Sequence, residues 1–330
     1  MLFLLLFLTD IILGSVNISL YDFYLAIFSP ENANPVIINI IHDFRFPKAV
    51  TAILAGIALS VSGLQMQTVF RNPLAGPYIL GISSGAGLGV AVVLLGLSGF
   101  AGTMFYSIFG DLVMIIAACC GAGMALVLVM IASTRVKDIM TVLIIGILIG
   151  AISSAIINIL QYFSDAASLK SYVLWSFGSL GKTTGKDLII LLISVISGLV
   201  ISLTQVKNMD ALLLGEDYAK TLGVSVKKTR KLLFLSTAIL AGSITAFCGP
   251  IAFIGIITPH IARTLLNTSK HFTIFMAVIL LGCNIMLITD IISHVPGSNI
   301  ILPLNAINSL LGIPVVIWMV LSNSKISSGF

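Results

Sequence analysis

Long apolar runs dominate this chain and leave few ways for it to fold. A helix needs about 20 apolar residues to cross the roughly 30 Å hydrocarbon layer of a membrane. The runs here are rich in Leu, Ile, Ala and Gly, and they are much longer than the strands of about ten alternating residues in a membrane barrel. We therefore predict an all-α integral membrane protein of about ten transmembrane helices. The predicted spans are 1–13, 47–69, 77–97, 108–131, 141–161, 188–206, 232–248, 251–266, 272–292 and 301–321.

The composition agrees with a membrane protein. Hydrophobic residues make up 58% of the chain, charged residues only 9%, and the mean hydropathy is +1.15. Such a chain cannot present an ordinary charged surface to water. The segments between the spans are too short for a soluble domain, so we predict a single transmembrane domain over residues 1–330. We expect no metal site, because His, Cys and carboxylate residues do not cluster at ligand spacing.

The cationic residues are divided unequally between the two faces of the predicted bundle. If the chain starts inside and the spans alternate, twelve of the 17 Lys and Arg residues fall on one face. Cytoplasmic loops carry the excess of Lys and Arg in membrane proteins, so this face is predicted to be cytoplasmic. The net charge of +5 then needs no nucleic acid to explain it. The five cations on the other face are Arg45, Lys48, Lys170, Lys182 and Lys186.

A polar segment, residues 207–231, interrupts the apolar pattern on the predicted cytoplasmic face. Residues 210–214 and 216–222 are predicted to form two short helices. Gly215 separates them and Gly223 ends the second, because glycine readily takes the left-handed conformation that closes a helix. A folded, charged element of this kind is expected to contact a cytoplasmic protein.

Two further patterns concern helix packing and polar side chains within the spans. Gly81, Gly85 and Gly89 recur at four-residue spacing, as do Gly146 and Gly150, which predicts close helix packing. Polar side chains also recur at helical spacing in two spans. They provide either hydrogen bonds between helices, worth about 0.6 kcal/mol each, or the wall of a polar route. The two stripes are Ser154, Asn158 and Gln161 in one span and Asn305, Asn308 and Ser309 in the last.

A series of motifs extends through essentially the whole chain. It includes Gly63-Leu-Gln-Met-Gln67, Arg71-Asn-Pro-Leu-Ala75, Ile79-Leu-Gly81-Ile-Ser83, Gly249-Pro-Ile-Ala-Phe253 and Leu302-Pro303 with Gly312-Ile-Pro314. In sequence and in order, these motifs closely resemble the permease subunits of ATP-binding-cassette importers for iron-siderophores, haem and cobalamin. The resemblance implies a bundle like that of the cobalamin-importer permease, of the large, type II class.

The resemblance also implies partners. A second permease copy, forming a homodimer, would enclose the translocation route at the subunit interface. Two cytoplasmic ATPase subunits would bind ATP with Mg and hydrolyse it. This chain has no phosphate-binding loop, and we expect no cofactor within it. An external or periplasmic binding protein would deliver the cargo. The expected location is the bacterial cytoplasmic (inner) membrane, with many spans surrounded by lipid.

Specific residues take roles through the resemblance. The segment 207–231 would contain the coupling helices that dock in a groove of the ATPase, and five residues would supply an apolar face: Leu212, Leu213, Leu214, Ala219 and Leu222. Gly215 and Gly223 shape the element, Glu216 supplies a charged or capping contact, and Lys220 lies at i+4 from Glu216, a favourable spacing for an ion pair. Residues 265–271 follow the family pattern only loosely and receive no role.

Three residues on the opposite face match positions that meet acidic groups of the binding protein in cobalamin-type permeases. They are Arg45, Lys48 and His294. Charge complementarity there would speed the encounter with the binding protein and fix its orientation more than it would raise its affinity. Lys48 replaces an arginine of the family and cannot form the same bidentate fork.

The predicted function is therefore a non-enzymatic permease for a ferric siderophore, or for haem or a cobalamin-type metal chelate. The cargo and the choice between homodimer and heterodimer stay open. An ion-coupled secondary transporter is the alternative, and it would need an acidic residue at mid-membrane, for which Asp10 is the candidate. A membrane enzyme would need paired carboxylates, an HExxH run or a nucleophile with a base, and the spans contain none of these.

Overall fold

The computed structural model describes residues 1–14, 16, 18–96, 111–136, 138–294 and 301–322. Within these residues the chain is almost entirely helical, with one isolated β-bridge between His294 and Ile301. The α-helices are α1 (Leu2–Ile12), α2 (Leu20–Phe28), α3 (Pro35–Asn39), α4 (Phe46–Phe70), α5 (Ile82–Ala91), α6 (Asp111–Arg135), α7 (Ile139–Phe163), α8 (Ala166–Ser176), α9 (Gly185–Thr204), α10 (Val206–Leu213), α11 (Glu216–Thr221), α12 (Val226–Cys248), α13 (Ile254–Leu266), α14 (His271–Ser293) and α15 (Leu304–Ser322).

The predicted spans each coincide with an apolar helix in the part of the chain that the structure describes. Among the described residues, seven helices are long and apolar enough to cross a membrane, namely Pro35–Phe70, which includes α4, and α6, α7, α9, α12, α14 and α15. The three remaining predicted spans correspond to shorter apolar helices: α1, residues Ile82–Gly96 and α13. The all-α membrane fold is therefore confirmed. Position 97 and residues 108–110, at the ends of two predicted spans, lie outside the described residues.

The span predicted to begin at residue 47 begins earlier. A π-helical turn, Ile40–Arg45, joins α3 to α4, so that the helix is continuous from Pro35 to Phe70. Asn34 starts it, because its side chain accepts a hydrogen bond from the backbone N–H of Val36 at 2.9 Å. The hydropathy pattern missed this segment, because only the part beyond residue 47 has the length and apolarity of a span.

Two helices outside the predicted spans, α2 and α8, depend on side-chain caps. The Ser19 hydroxyl oxygen accepts from the backbone N–H of Asp22 at 3.0 Å at the start of α2. At the start of α8, the Asp165 carboxylate accepts from the backbone N–H groups of Ala167 and Ser168 at 2.9 and 3.0 Å. The hydrogen bonds from Ser168 and Ala167 hold the pKa of the Asp165 carboxyl below its usual range.

Helix α4 lies at the centre of the bundle and packs against α9, α12, α13 and α14. Two glycines on α4 make this possible, because they let neighbouring backbones approach without an intervening side chain. A Cβ atom added to Gly56 would overlap the carbonyl of Gly282 on α14, and one added to Gly63 would overlap the carbonyl of Gly255 on α13. Both contacts are backbone against backbone, so neither neighbour can move aside cheaply.

A second glycine contact joins α5 to α6. A Cβ atom at Gly89 would overlap the carbonyl of Ala117, and one at Gly121 would overlap the carbonyl of Gly85. The close packing predicted from the glycine spacing is confirmed at Gly85 and Gly89. Gly81, at the turn that precedes α5, has a φ of +69° and also lies close to α7. The packing is confirmed at Gly146 as well, because a Cβ atom there would overlap the Ile79 carbonyl.

We predict that Gly56→Val separates α4 from α14 and lowers stability by about 1–3 kcal/mol, the usual range for an overpacked core. Gly123→Val on α6 is the matched control, because nothing lies within 4 Å of a Cβ atom at that position. The measurement is the midpoint of thermal unfolding of each purified variant in the same detergent. Equal midpoints for the two variants would contradict the close contact of α4 and α14.

Candidate functional site

The polar segment folds into α10 and α11, which meet at a sharp turn. Gly215 has a φ of +113° and Gly223 a φ of +81°, values that residues with a Cβ rarely adopt. After α11 the backbone N–H of Val224 donates to the carbonyl of Ala219 at 3.0 Å, which satisfies the end of the helix. The two predicted helices and their glycine boundaries are confirmed, although α10 begins at Val206 rather than at residue 210.

The apolar residues of α10 and α11 do not share one exposed face. Leu214 is 64% exposed and Leu222 is 57% exposed, and Leu213 is exposed beside them. Leu212 is only 4% exposed and Ala219 is completely buried. The expectation of a common outward face is therefore wrong for Leu212 and Ala219, which pack against the chain's own bundle. Their side chains attach the element, and the other three leucines remain available to a partner.

Tyr218 adds to the exposed surface and was missed in the sequence. It lies on α11 between Glu216 and Leu222, and it is exposed. A tyrosine offers a large apolar area with a polar tip, a combination enriched at protein interfaces. The exposed surface of this element, which we call the leucine–tyrosine patch, consists of Leu213, Leu214, Tyr218 and Leu222.

Charged side chains also attach α11 to the bundle. Glu216 forms an ion pair with Arg230 on α12. The predicted pair between Glu216 and Lys220 does not form, because Lys220 bonds to Asp217 at 2.7 Å instead. That hydrogen bond and the charge of Lys220 hold the pKa of the exposed Asp217 carboxyl below its usual range. Glu216 therefore faces the chain itself.

A polar chain of three residues connects α10 to α4 and α14. The Asp210 Oδ1 atom lies 2.8 Å from the His271 ring Nδ1 and accepts a hydrogen bond from the His271 backbone N–H, also at 2.8 Å. The other ring nitrogen, Nε2, lies 2.8 Å from the Thr68 hydroxyl. His271 belongs to the segment that received no role in the sequence. Its two partners lie far away in sequence, so no local pattern announced the contact.

The opposite end of α4 and α14 carries a second charged cluster. The Lys48 ammonium lies 2.8 Å from the Asp290 carboxylate and 4.0 Å from that of Asp10. The Lys48 Nζ atom also lies 3.4 Å from the His294 Nε2 atom. Both carboxylates are almost completely buried. Lys48 offsets the charge of Asp290, its near partner, as a buried carboxylate requires.

Arg45 is buried beside this cluster, and its side chain caps the C-terminal end of α1. Its guanidinium donates to the Ile11 carbonyl at 2.8 Å and also bonds to the carbonyls of Ile12 and Val16. A cation at a helix C-terminus satisfies free carbonyls and complements the helix dipole. Arg45, Lys48 and His294 thus lie together, at the end of the bundle away from α10. In this structure their polar atoms bond within the chain, and their docking role stays a prediction.

The two predicted route stripes have different environments. On α7, Ser154 and Asn158 are exposed and Gln161 is half-buried. Helix α7 packs against α5 and α6, whereas α15 packs against α13 and α14. The chain therefore does not bring the two stripes together by direct packing of their helices.

On α15 the polar residues are engaged within the chain. The Asn305 Nδ2 atom donates to the Pro250 carbonyl at 2.6 Å, and its Oδ1 accepts from the Ala252 backbone N–H at 3.0 Å. Asn308 is buried and its Oδ1 accepts from the Thr289 hydroxyl at 2.9 Å. The Ser309 hydroxyl donates to the Asn305 carbonyl at 2.7 Å. Of these contacts, the bond between Asn308 and Thr289 joins two helices, Asn305 bonds to the segment between α12 and α13, and Ser309 bonds within α15. A route role for this stripe stays a prediction.

A bundle of membrane-length helices with a charged two-helix element at one end defines a multi-pass membrane protein. The model of the FecCD transport family matches residues 2–322, and the chain belongs to that family. This confirms the resemblance found in the motifs and favours an importer permease over an ion-coupled carrier.

Individual relatives cover nearly the whole chain. The hemin transport system permease protein HmuU of Yersinia pestis is 30% identical over 99% of this chain and 96% of its own length. The vitamin B12 import system permease protein BtuC of Vibrio parahaemolyticus is 32% identical over 85% of this chain and 82% of its own. A solved ABC transporter of the metal-chelate type, in an inward-facing conformation, superposes with a TM-score of 0.82 at 27% identity, covering 97% of both chains.

We predict that cysteines at exposed and buried positions of the two-helix element react differently with a water-soluble maleimide. In a background without Cys119, Cys120, Cys248 and Cys283, Leu214→Cys and Leu222→Cys are expected to be labelled rapidly in the purified permease. Ala219→Cys is the control. It is expected to react at least about tenfold more slowly, since labelling of a buried position requires local opening. Equal rates at all three positions would contradict the packing of α11.

Proposed function

We propose that this chain is the permease subunit of an ATP-driven importer that carries a ferric siderophore, or haem or a cobalamin-type metal chelate. It would lie in the cytoplasmic membrane with α10 and α11 facing the cytoplasm. Two separate ATPase subunits would hydrolyse ATP, and a binding protein outside the membrane would deliver the cargo. The match of the FecCD family model to residues 2–322 supports this proposal, as do relatives named for hemin and vitamin B12 import.

The leucine–tyrosine patch is the observation that carries the proposal. Four large side chains are exposed on an element that ion pairs and hydrogen bonds hold to the bundle. Exposed apolar side chains on a rigid, charged element outside the long apolar helices fit a protein partner better than lipid. An ATPase groove that receives α10 and α11 would bury this patch.

Mechanical coupling follows from this arrangement. When the ATPases bind ATP and close, their grooves would move α10 and α11, and the helices attached to that element would move as well. A partner can shift the permease between two states only if it contacts them differently. The patch supplies such contacts. The turn at Gly215 permits the sharp bend between the two short helices, and the bonds of Arg71 to Leu212 and of Arg230 to Glu216 hold each helix to the bundle.

The polar residues of α7 support a second copy of the permease as partner. Ser154 and Asn158 are exposed on a helix of membrane length, where contact with lipid is costly for an amide. A homodimer that pairs this face with its symmetry mate would enclose these side chains around a polar route. A metal ion enclosed in its chelate would need only a polar lining of the route and no specific ligands. The binding protein would therefore determine most of the selectivity.

Uptake by reconstituted vesicles tests the proposed function. The permease is combined with candidate ATPase and binding-protein subunits from the same organism, and uptake of ferric siderophores, haem and cobalamin is compared with and without ATP. We expect ATP-dependent uptake of one of these chelates, and no ATP hydrolysis by the permease alone. Uptake that needs an ion gradient but no ATPase would contradict the proposal.

We predict that Leu214→Asp weakens binding of the ATPase about tenfold or more, because an interface over this position would desolvate an unpaired carboxylate at a cost of more than about 1.4 kcal/mol. Leu214→Met is the matched control, since it keeps an apolar side chain of similar size at the same exposed position. The measurement is a binding titration of the purified permease with the purified ATPase. Equal affinities for the two variants would exclude Leu214 from the interface.

A further inference from the structure

We infer that His271 is a positioning residue for import, because it joins α10 to the central helix pair α4–α14 and makes the three move together. This inference rests on the proposed role of α10 and α11 as the ATPase-coupling element. It concerns two small sets of contacts. The proximal clamp consists of Thr68, Asp210 and His271, and the distal clamp consists of Lys48, Asp290 and His294.

The proximal clamp joins three elements through one buried side chain. The His271 ring is completely buried, and each of its nitrogens lies 2.8 Å from a polar atom of another element. Asp210 also accepts from the backbone N–H of His271, so a single carboxylate oxygen holds both the ring and the start of α14. A buried polar group that loses its partner costs free energy, so α10 cannot move away from α4 and α14 without a penalty.

The other polar contacts of the two-helix element reach fewer helices of the bundle. Arg71, just after α4, donates to the Leu212 carbonyl at 3.2 Å, and Glu216 pairs with Arg230 on α12. The chain itself connects α10 to α9 and α11 to α12. Among the polar contacts described, only the proximal clamp links the element to α14. Helix α10 also packs against α4 and α14, and the proximal clamp adds the buried hydrogen bonds that hold this packing in one arrangement.

Helices α4 and α14 are built to carry that movement across the bundle. They are antiparallel, and their backbones touch at Gly56 and Gly282, near the middle of each helix. Thr68 and His271 join them at one end, and Lys48 and Asp290 join them at the other. Lys48 and Thr68 are separated by about 30 Å along α4 at 1.5 Å per residue. A pair joined at both ends and in contact at the middle moves as one body.

The functional consequence concerns the far end of the bundle. Arg45, Lys48 and His294, the residues predicted to meet the binding protein, lie at the distal end of the same helix pair. A displacement of α10 by the ATPase would therefore reach this face through α4 and α14. Loss of the proximal clamp would leave ATPase binding intact but separate ATP hydrolysis from transport.

Two threonines on α4 provide a closely matched test. Thr68 and Thr51 are both buried, and each donates to the carbonyl four residues earlier, at 2.8 and 2.7 Å. Each also has one long-range partner, which is His271 for Thr68 and the Thr183 hydroxyl for Thr51, at 2.6 Å. Replacement by Val removes the hydroxyl and keeps the shape. Thr51→Val is therefore the control for Thr68→Val.

The readout is the amount of chelate imported per ATP hydrolysed in vesicles that contain the complete transporter. Thr68→Val should lower this ratio several-fold, and Asp210→Ala and His271→Ala about tenfold or more, with ATPase affinity within twofold of the unmodified protein. Thr51→Val should leave the ratio unchanged. The double variant Asp210→Ala/His271→Ala should be no worse than the poorer single variant, because both changes break the same chain.

Several results would overturn the inference. They are an unchanged ratio in the folded Asp210→Ala and His271→Ala variants, an equal loss in Thr51→Val and Thr68→Val, or additive losses in the double variant. Reduced ATPase affinity in the clamp variants would also overturn it, since the residues would then act as contacts rather than through α14. Failure of the proposed function looks different, because the unmodified protein itself would show no ATP-dependent uptake.

Discussion

The backbone contact between Gly56 on α4 and Gly282 on α14 is the constraint on which the rest of the bundle depends. Inside a membrane, lipid is as apolar as leucine, so helices associate through close packing and hydrogen bonds rather than through hydrophobic burial. Glycine on both helices permits that closeness. With α4 fixed against α14, the remaining faces of α4 accept α9, α12 and α13, and α5, α6 and α7 add a further layer.

The polar residues follow the same geometry. The pairs Lys48–Asp290 and Thr68–His271 lie at the two ends of α4 and α14, beyond the apolar middle of the two helices. Buried polar groups are tolerated when they are partnered, and each of these is held by another helix. The same contacts that stabilise the pair therefore also connect the end of the bundle at α10 with the end at Arg45.

Much of this architecture could be predicted from the sequence, because hydropathy and glycine have local signatures. The span positions and the turns at Gly215 and Gly223 came from such signals. The orientation of Leu212 and Ala219, the pairing of Glu216 with Arg230 and the contacts of His271 did not. Each depends on a contact between residues distant in sequence, and motif resemblance assigns a segment to a role without fixing which side chains face inward.

Distances between spin labels test the central claim most directly. One pair of labels, at Asp217 on α11 and Lys270 at the start of α14, measures whether the two-helix element and the pair α4–α14 move together. A second pair, at Asp217 and Arg135 at the end of α6, measures movement relative to the outer helices. With ATP bound in the complete transporter, we expect the first distance to stay constant and the second to change. A change in the first distance as large as that in the second would contradict the account.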